Sequence, residues 1–148
     1  MAPLFPSHGK YSLYRDGQVL VTEVVGPWNQ ELIQEWARAA IPFSIEMHED
    51  GPWAGIAIMS ESMLATPEAM EALRKVVAAS VNQFDCIAHI VVAAQGVAGK
   101  GLVEGAFAKV YEGLCLSGFF DDYQTAKSWA LEQIACHRSR NPSIDQRG

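Results

Sequence analysis

The sequence lacks the features that mark membrane, disulfide-stabilised or nucleic-acid-binding proteins. Its three cysteines are odd in number and have no C-x-x-C spacing, so we expect reduced thiols in a cytoplasmic protein. Its apolar runs are far shorter than the roughly 20 residues of a membrane span. Its first residues do not form the charged and then apolar segments of a signal peptide. With 17 acidic against 11 basic residues, the chain is not expected to bind nucleic acid.

The sequence also lacks a recognisable catalytic, metal or cofactor motif. His48-Glu49-Asp50 offers metal-binding residue types, but three adjacent loop residues do not supply the separated ligands of a defined site. Cys115 with His89 or His137 would make a nucleophile–base pair, although no nucleophile motif surrounds the cysteine. We therefore predict a protein that is not an enzyme and has no metal and no cofactor.

Strand and helix patterns alternate along most of the chain. Asp16-Gly17 predicts a hairpin turn between strands at residues 11–15 and 18–25, because glycine accepts the positive φ of a tight turn. Three more strands are predicted, at residues 53–59, 87–94 and 115–120. A helix in every later connection makes those strands parallel. The predicted fold class is α/β, a single-domain mixed sheet of about five strands with four helices.

Local capping patterns predict where the helices begin and end. The predicted N-caps are Asn29, Thr66 and the pair Asp121-Asp122. Pro42 is expected to stop or bend the first helix, because proline has no N–H to donate. Residues 43–50 are then either a further helical turn or an extended link, and residues 48–52 are predicted to be surface loop. The domain is predicted to span residues 11–136, between a loose arm (1–10) and a disordered tail (137–148).

Three segments carry a resemblance to a known family. They are the hairpin of residues 11–25, the Gly26-Pro27-Trp28 turn into a helix, and the closing Phe119-Phe120-Asp121-Asp122 with Ala126 and Trp129-Ala130-Leu131. Together they resemble the SpoIIAA-like, or STAS-related, group of small bacterial α/β domains. The resemblance implies a (βα) superhelix that acts as a protein-interaction module, as in anti-sigma-factor antagonists and domains of anion transporters.

In the antagonists of that group, an Asp-x-Ser at a strand-to-helix junction carries the phosphoacceptor. The corresponding junction here is residues 58–64, where Ser60 and Ser62 are the candidate phosphoacceptors. The motif's aspartate is absent, and no glycine follows Ser62. These two departures from the motif argue against a phosphorylation switch at this junction.

A glycine-rich loop, residues 96–101, follows the predicted central strand. Its spacing fits neither a Walker A loop nor a dinucleotide fingerprint, and no Ser or Thr follows Lys100 to hold magnesium. Gly99, Lys100 and Gly101 remain candidates for an anion site at a helix N-terminus. The alternative is that the glycines serve a tight turn and close packing.

One face of the predicted sheet carries small and apolar residues, namely Gly55, Ala57, His89, Val91 and Ala93. If the helices cover mainly the other face, this one is too apolar for water, and a homodimer is the simplest way to bury it. Trp53 flanks the small residues, and the room beside it could instead hold an apolar ligand. Two functions follow: a module that binds a protein partner or itself, or a carrier of a lipid or other small apolar ligand.

Overall fold

The computed structural model describes residues 10–140 and places them in one mixed α/β domain. Its strands are β1 (Lys10–Asp16), β2 (Val19–Val25), β3 (Trp53–Ser60), β4 (Cys86–Ala93) and β5 (Leu116–Phe120). Its helices are α1 (Gln30–Asp50), α2 (Pro67–Phe84), α3 (Lys100–Tyr111) and α4 (Tyr123–Arg140). The order of elements along the chain is the predicted one.

The sheet has the strand order β1-β2-β3-β4-β5. Strands β1 and β2 pair antiparallel as a hairpin, and β2 to β5 pair in parallel. These pairings, with four helices in the described residues, confirm the predicted fold class. Because consecutive parallel strands joined by right-handed crossovers add helices to the same side, α1, α2 and α3 lie together on one face.

Each face of the sheet is covered by helix. On one side Val24, Met59 and Val91 share a core with α1, α2 and α3. On the other side Val21, Ile56 and Ile90 pack with α4, and two of the three buried α4 residues are alanines. Side chains that alternate along the strands therefore supply cores on both faces of the sheet.

The premise of the predicted homodimer is wrong. Ala57 and Val91 belong to the core beneath α1–α3. Gly55 and His89 lie on the same face of the sheet, because each is two residues before Ala57 or Val91 on its strand. The opposite face is covered because α4 returns across the sheet and packs on β3 and β4. The small-residue face is thus an internal surface of a single chain.

Helix α1 runs through Pro42 and does not stop there. Ser44 and Met47, both beyond the proline, are buried at 6% and 0% exposure, so packing offsets the hydrogen bond that proline removes. Residues 43–50 are therefore helical. The predicted loop at 48–52 is wrong for residues 48–50, which form the last turn of α1.

The predicted caps are confirmed. The side chains of Asn29 and Thr66 accept hydrogen bonds from the amides of Leu32 (2.8 Å) and Ala69 (3.0 Å). Asp122 accepts from the amide of Thr125 at 2.8 Å. Each cap satisfies an amide that the first helical turn leaves without an intrahelical partner.

The ends of the domain differ slightly from the prediction. Helix α4 continues to Arg140, so residues 137–140 are helical where a disordered tail was expected. Lys10 is the first residue of β1. The rest of the predicted arm and tail, residues 1–9 and 141–148, lies outside the described residues. No helix within residues 10–140 has the length and apolar character to cross a membrane.

Candidate functional site

A cavity of about 50 Å³ lies between the sheet and helices α1–α3. Gly55 admits the His89 ring, since a Cβ at Gly55 would lie 3.3 Å from His89 Nδ1, and Ala57 contributes little side-chain volume to the cavity wall. Trp36, Ser80 and Tyr111 line the cavity from α1, α2 and α3. The cavity lies where the sequence predicts room beside Trp53, and Trp53, Gly55, Ala57 and His89 all line it. Val91, at 1% exposure, belongs to the surrounding core.

Three tryptophans line the cavity, and their indole N–H groups differ in whether they have a hydrogen-bond partner. Trp36 Nε1 donates to Thr22 Oγ1 at 3.0 Å, and Trp53 Nε1 donates to the carbonyl of Phe84 at 2.6 Å. Trp28 is only 4% exposed, yet its Nε1 has no hydrogen-bond partner among residues 10–140. Its backbone N–H donates a hydrogen bond to the carbonyl of Leu64 at 2.8 Å.

The imidazole of His89 is held in the same cavity wall. Its Nε2 lies 2.9 Å from Ser80 Oγ, and the Ser80 hydroxyl donates to the carbonyl of Val77 at 2.7 Å. Since that hydroxyl proton is used, Ser80 Oγ accepts from Nε2–H. Burial lowers the pKa of His89 from 6.5 to about 4, so the ring is neutral at physiological pH.

Cys86 also reaches His89, which the sequence analysis missed. Its Sγ lies 3.4 Å from His89 Nε2, although residues three apart on a regular strand face opposite sides. The register shifts here: Trp53 pairs with Cys86 but Ala54 with Ala88, so Ile87 is an extra residue. No turn residue or glycine in the sequence signals this irregularity.

The cysteines near His89 are not activated. Burial raises the pKa of the Cys86 thiol, and burial raises that of Cys115 to about 11. With His89 neutral as well, the thiolate–imidazolium pair of a nucleophilic cysteine does not form. The cluster is a neutral lining of the core.

The candidate phosphoacceptors lie in the link from β3 to α2. Ser60 Oγ donates to the carbonyl of Val24 at 3.3 Å, and Ser62 Oγ accepts from the amide of Leu64 at 3.1 Å. The link is paired with the glycine-rich loop, since the amide of Met63 donates to the carbonyl of Ala98 at 2.8 Å. Both serines thus support local backbone structure, and neither lines the cavity.

The candidate anion site at the start of α3 is largely engaged by the protein itself. Lys100 Nζ pairs with Asp121 at 2.6 Å, and its amide donates to the carbonyl of Val97. Gly99 has φ +80°, and a Cβ there would lie 2.7 Å from Leu64 Cδ2. The geometry of Gly99, Lys100 and Gly101 therefore favours the turn-and-packing alternative.

His48 and Asp50, at the end of α1, already have partners within the protein. Asp50 bonds Arg15 at 2.6 Å, and His48 Nδ1 lies 3.6 Å from Asp85. Over residues 10–140, no three His, Cys, Asp or Glu side chains are grouped so that they could hold a metal ion.

Comparisons with known proteins add a likeness of fold. No protein-family model and no curated protein matches the sequence. Among solved structures, the chain is similar to an uncharacterized protein from the DUF3478 family with a SpoIIAA-like fold, from Shewanella loihica. The two are 15% identical, with a TM-score of 0.49 over 88% of this chain and 99% of that one. The fold name is the one that the sequence resemblance predicts, and at this identity the likeness says nothing about function.

Proposed function

We propose that this protein is a non-enzymatic binding module that holds a small, largely apolar molecule between its sheet and helices α1–α3. The observation that carries the proposal is the cavity beside Gly55, Ala57 and His89. Protein interiors are packed as densely as organic crystals, so a cavity maintained over small strand residues marks room for another molecule.

The lining of the cavity has the character of a ligand site. Most of it is aliphatic and aromatic, with a few polar groups such as Thr22, Ser80 and His89, which is the usual composition of small-molecule pockets. The volume favours a small ligand over a lipid, since an apolar cavity that binds benzene measures about 150 Å³. The neutral state of Cys86 and His89 favours binding over catalysis.

Xenon provides a direct test. Protein labelled with ¹³C at Leu, Val and Ile methyl groups is compared with and without dissolved xenon by NMR. We expect chemical-shift changes at Leu20, Leu73 and Val76, which line the cavity. Val19 and Val21, in the core against α4, serve as controls. The absence of any change at the three lining residues, or equal changes in both cores, contradicts the proposal.

A second candidate function is self-association or binding of another protein at the loops beside Gly99. Leu102 is 84% exposed and Leu64 46% exposed, and both flank Gly99. Self-association is tested by light scattering after size-exclusion chromatography. If a dimer uses these loops, Leu102→Glu converts it to monomer, and Leu131→Glu on α4, which removes a leucine of 42% exposure, leaves it intact. A wild-type protein that runs as a monomer contradicts self-association.

A further inference from the structure

Trp28 differs from the other two tryptophans at the cavity. Trp36 and Trp53 line the same cavity and each donates its indole N–H to a protein oxygen. The Nε1 of Trp28 is buried without such an acceptor among the described residues. Buried N–H groups are almost always hydrogen-bonded, and each exception calls for an explanation. A bound acceptor would provide one.

The cavity offers no charge to balance an ionic ligand. None of its lining residues is Lys, Arg, Asp or Glu, and its titratable members, His89 and Tyr111, are neutral at physiological pH because burial lowers the pKa of the first and raises that of the second. An anion moved there from water would lose its hydration without a counter-charge. A carboxylate or phosphate is therefore disfavoured.

The size of the cavity limits the ligand further. Its volume is about 50 Å³, roughly a third of the 150 Å³ cavity that is known to bind benzene. The polar atoms of the lining are few, so most of the ligand surface must be apolar. A long acyl chain does not fit unless α1, α2 and α3 separate from the sheet.

We propose that the ligand is a neutral molecule smaller than benzene, with an apolar body and one oxygen that accepts a hydrogen bond from Trp28 Nε1–H. Short ketones, aldehydes and ethers have this chemistry. The inference rests on the proposed ligand-binding function and adds the chemical class of the ligand.

Three probes of one shape separate the alternatives: isobutene is apolar, acetone is neutral with one acceptor, and acetate is an anion. Each is titrated into the full-length protein at neutral pH. Methyl groups at Leu20, Leu73 and Val76 report entry into the cavity. The indole ¹H–¹⁵N signals report hydrogen bonding, with Trp36 and Trp53 as internal controls because both already have protein acceptors.

We expect acetone to move the Trp28 indole proton downfield while the Trp36 and Trp53 protons change little. Isobutene should shift the signals of the lining methyl groups without moving the Trp28 indole proton downfield. Acetate should shift neither the methyl signals nor the indole signals. If acetone and isobutene affect Trp28 alike, or acetate binds best, the inference is overturned while ligand binding itself stands. If no probe, xenon included, shifts the methyl groups, the proposed function fails as well.

Substitution of the indole gives an independent measurement. Trp28→Phe keeps an aromatic ring but removes the N–H, so acetone should lose its affinity advantage over isobutene. Trp36→Phe removes an N–H that is already bonded to Thr22 and should retain that advantage. An unchanged ratio of affinities in folded Trp28→Phe overturns the inference. If that variant does not fold, the wild-type indole signals decide alone.

Discussion

The imidazole of His89 lies flat against the phenol ring of Tyr111, with ring centroids 5.6 Å apart and planes inclined by 5°. This stack joins β4 to α3 across the wall of the cavity. Because a buried imidazole is costly to protonate, the stability of the fold is also sensitive to acid.

We predict that the free energy of unfolding falls as the pH is lowered from about 6.5 towards 4. In this interval His89 takes up a proton in the unfolded chain, where its pKa is 6.5, but not in the folded chain, where burial lowers it to about 4. The loss is at most about 1.4 kcal/mol per pH unit. Urea unfolding across the interval should show a steeper loss for wild type than for His89→Gln.

Two carboxylates provide the background to this measurement. The pKa values of Asp16 and Asp122 lie below 3.8 in the folded protein, mainly because Asp16 accepts a hydrogen bond from Tyr123 and Asp122 from the amide of Thr125. A carboxylate whose pKa is lower in the folded chain than in the unfolded chain stabilises the fold at pH values above the unfolded pKa. That stability is lost as the pH falls towards the folded pKa. Both proteins share this loss, so parallel curves for wild type and His89→Gln contradict the prediction.

Two alanines on the same strand provide a matched test of the cavity. Ala57→Val directs two methyl groups towards the cavity, so we expect the free energy of unfolding to rise or to fall by less than about 1 kcal/mol. Ala54→Val makes the same change on the opposite face, where Ala54 is 0% exposed in the core with α4. Overpacking there should cost about 1–3 kcal/mol. Equal losses in chemical denaturation would argue against room at Ala57.

Replacement of the proline inside α1 is expected to stabilise the protein. Pro42→Ala restores an N–H to the helix and removes the clash of the ring with the preceding turn, so we expect stabilisation of up to about 3 kcal/mol. Pro67→Ala is the control, because Pro67 is the first residue of α2, where proline costs little and the change should stay below about 1 kcal/mol. Thermal unfolding measures both. A Pro42→Ala protein no more stable than wild type contradicts this prediction.

Arg74 joins two helices although it is exposed. Its Nη1 donates to the carbonyls of Lys109, Val110 and Glu112 at the end of α3, where carbonyls lack intrahelical partners. We expect Arg74→Gln to lower the free energy of unfolding by about 1 kcal/mol. Lys75→Gln, at the exposed neighbouring position, should change it by less than about 0.5 kcal/mol. Amide exchange at residues 108–112 should quicken only in the first variant, and equal rates in both would contradict this capping role.

The sequence by itself determined the features that depend on neighbouring residues. The caps at Asn29, Thr66 and Asp122 are hydrogen bonds to amides three residues along the chain, so side-chain type and spacing suffice to predict them. The Asp16-Gly17 hairpin and the parallel strands likewise follow from turn chemistry and from the helices between them.

Tertiary structure decided what depends on distant partners. Helix α1 continues past Pro42 because Met47 gains burial in the core, and the His89 face is internal because α1–α3 cover it while α4 covers the other. The extra residue at Ile87 turns Cys86 towards His89, and the cavity is enclosed by side chains from α1, α2 and α3 together with β3 and β4. None of these features can be predicted from local sequence, because each depends on the packing of elements that are far apart in the chain.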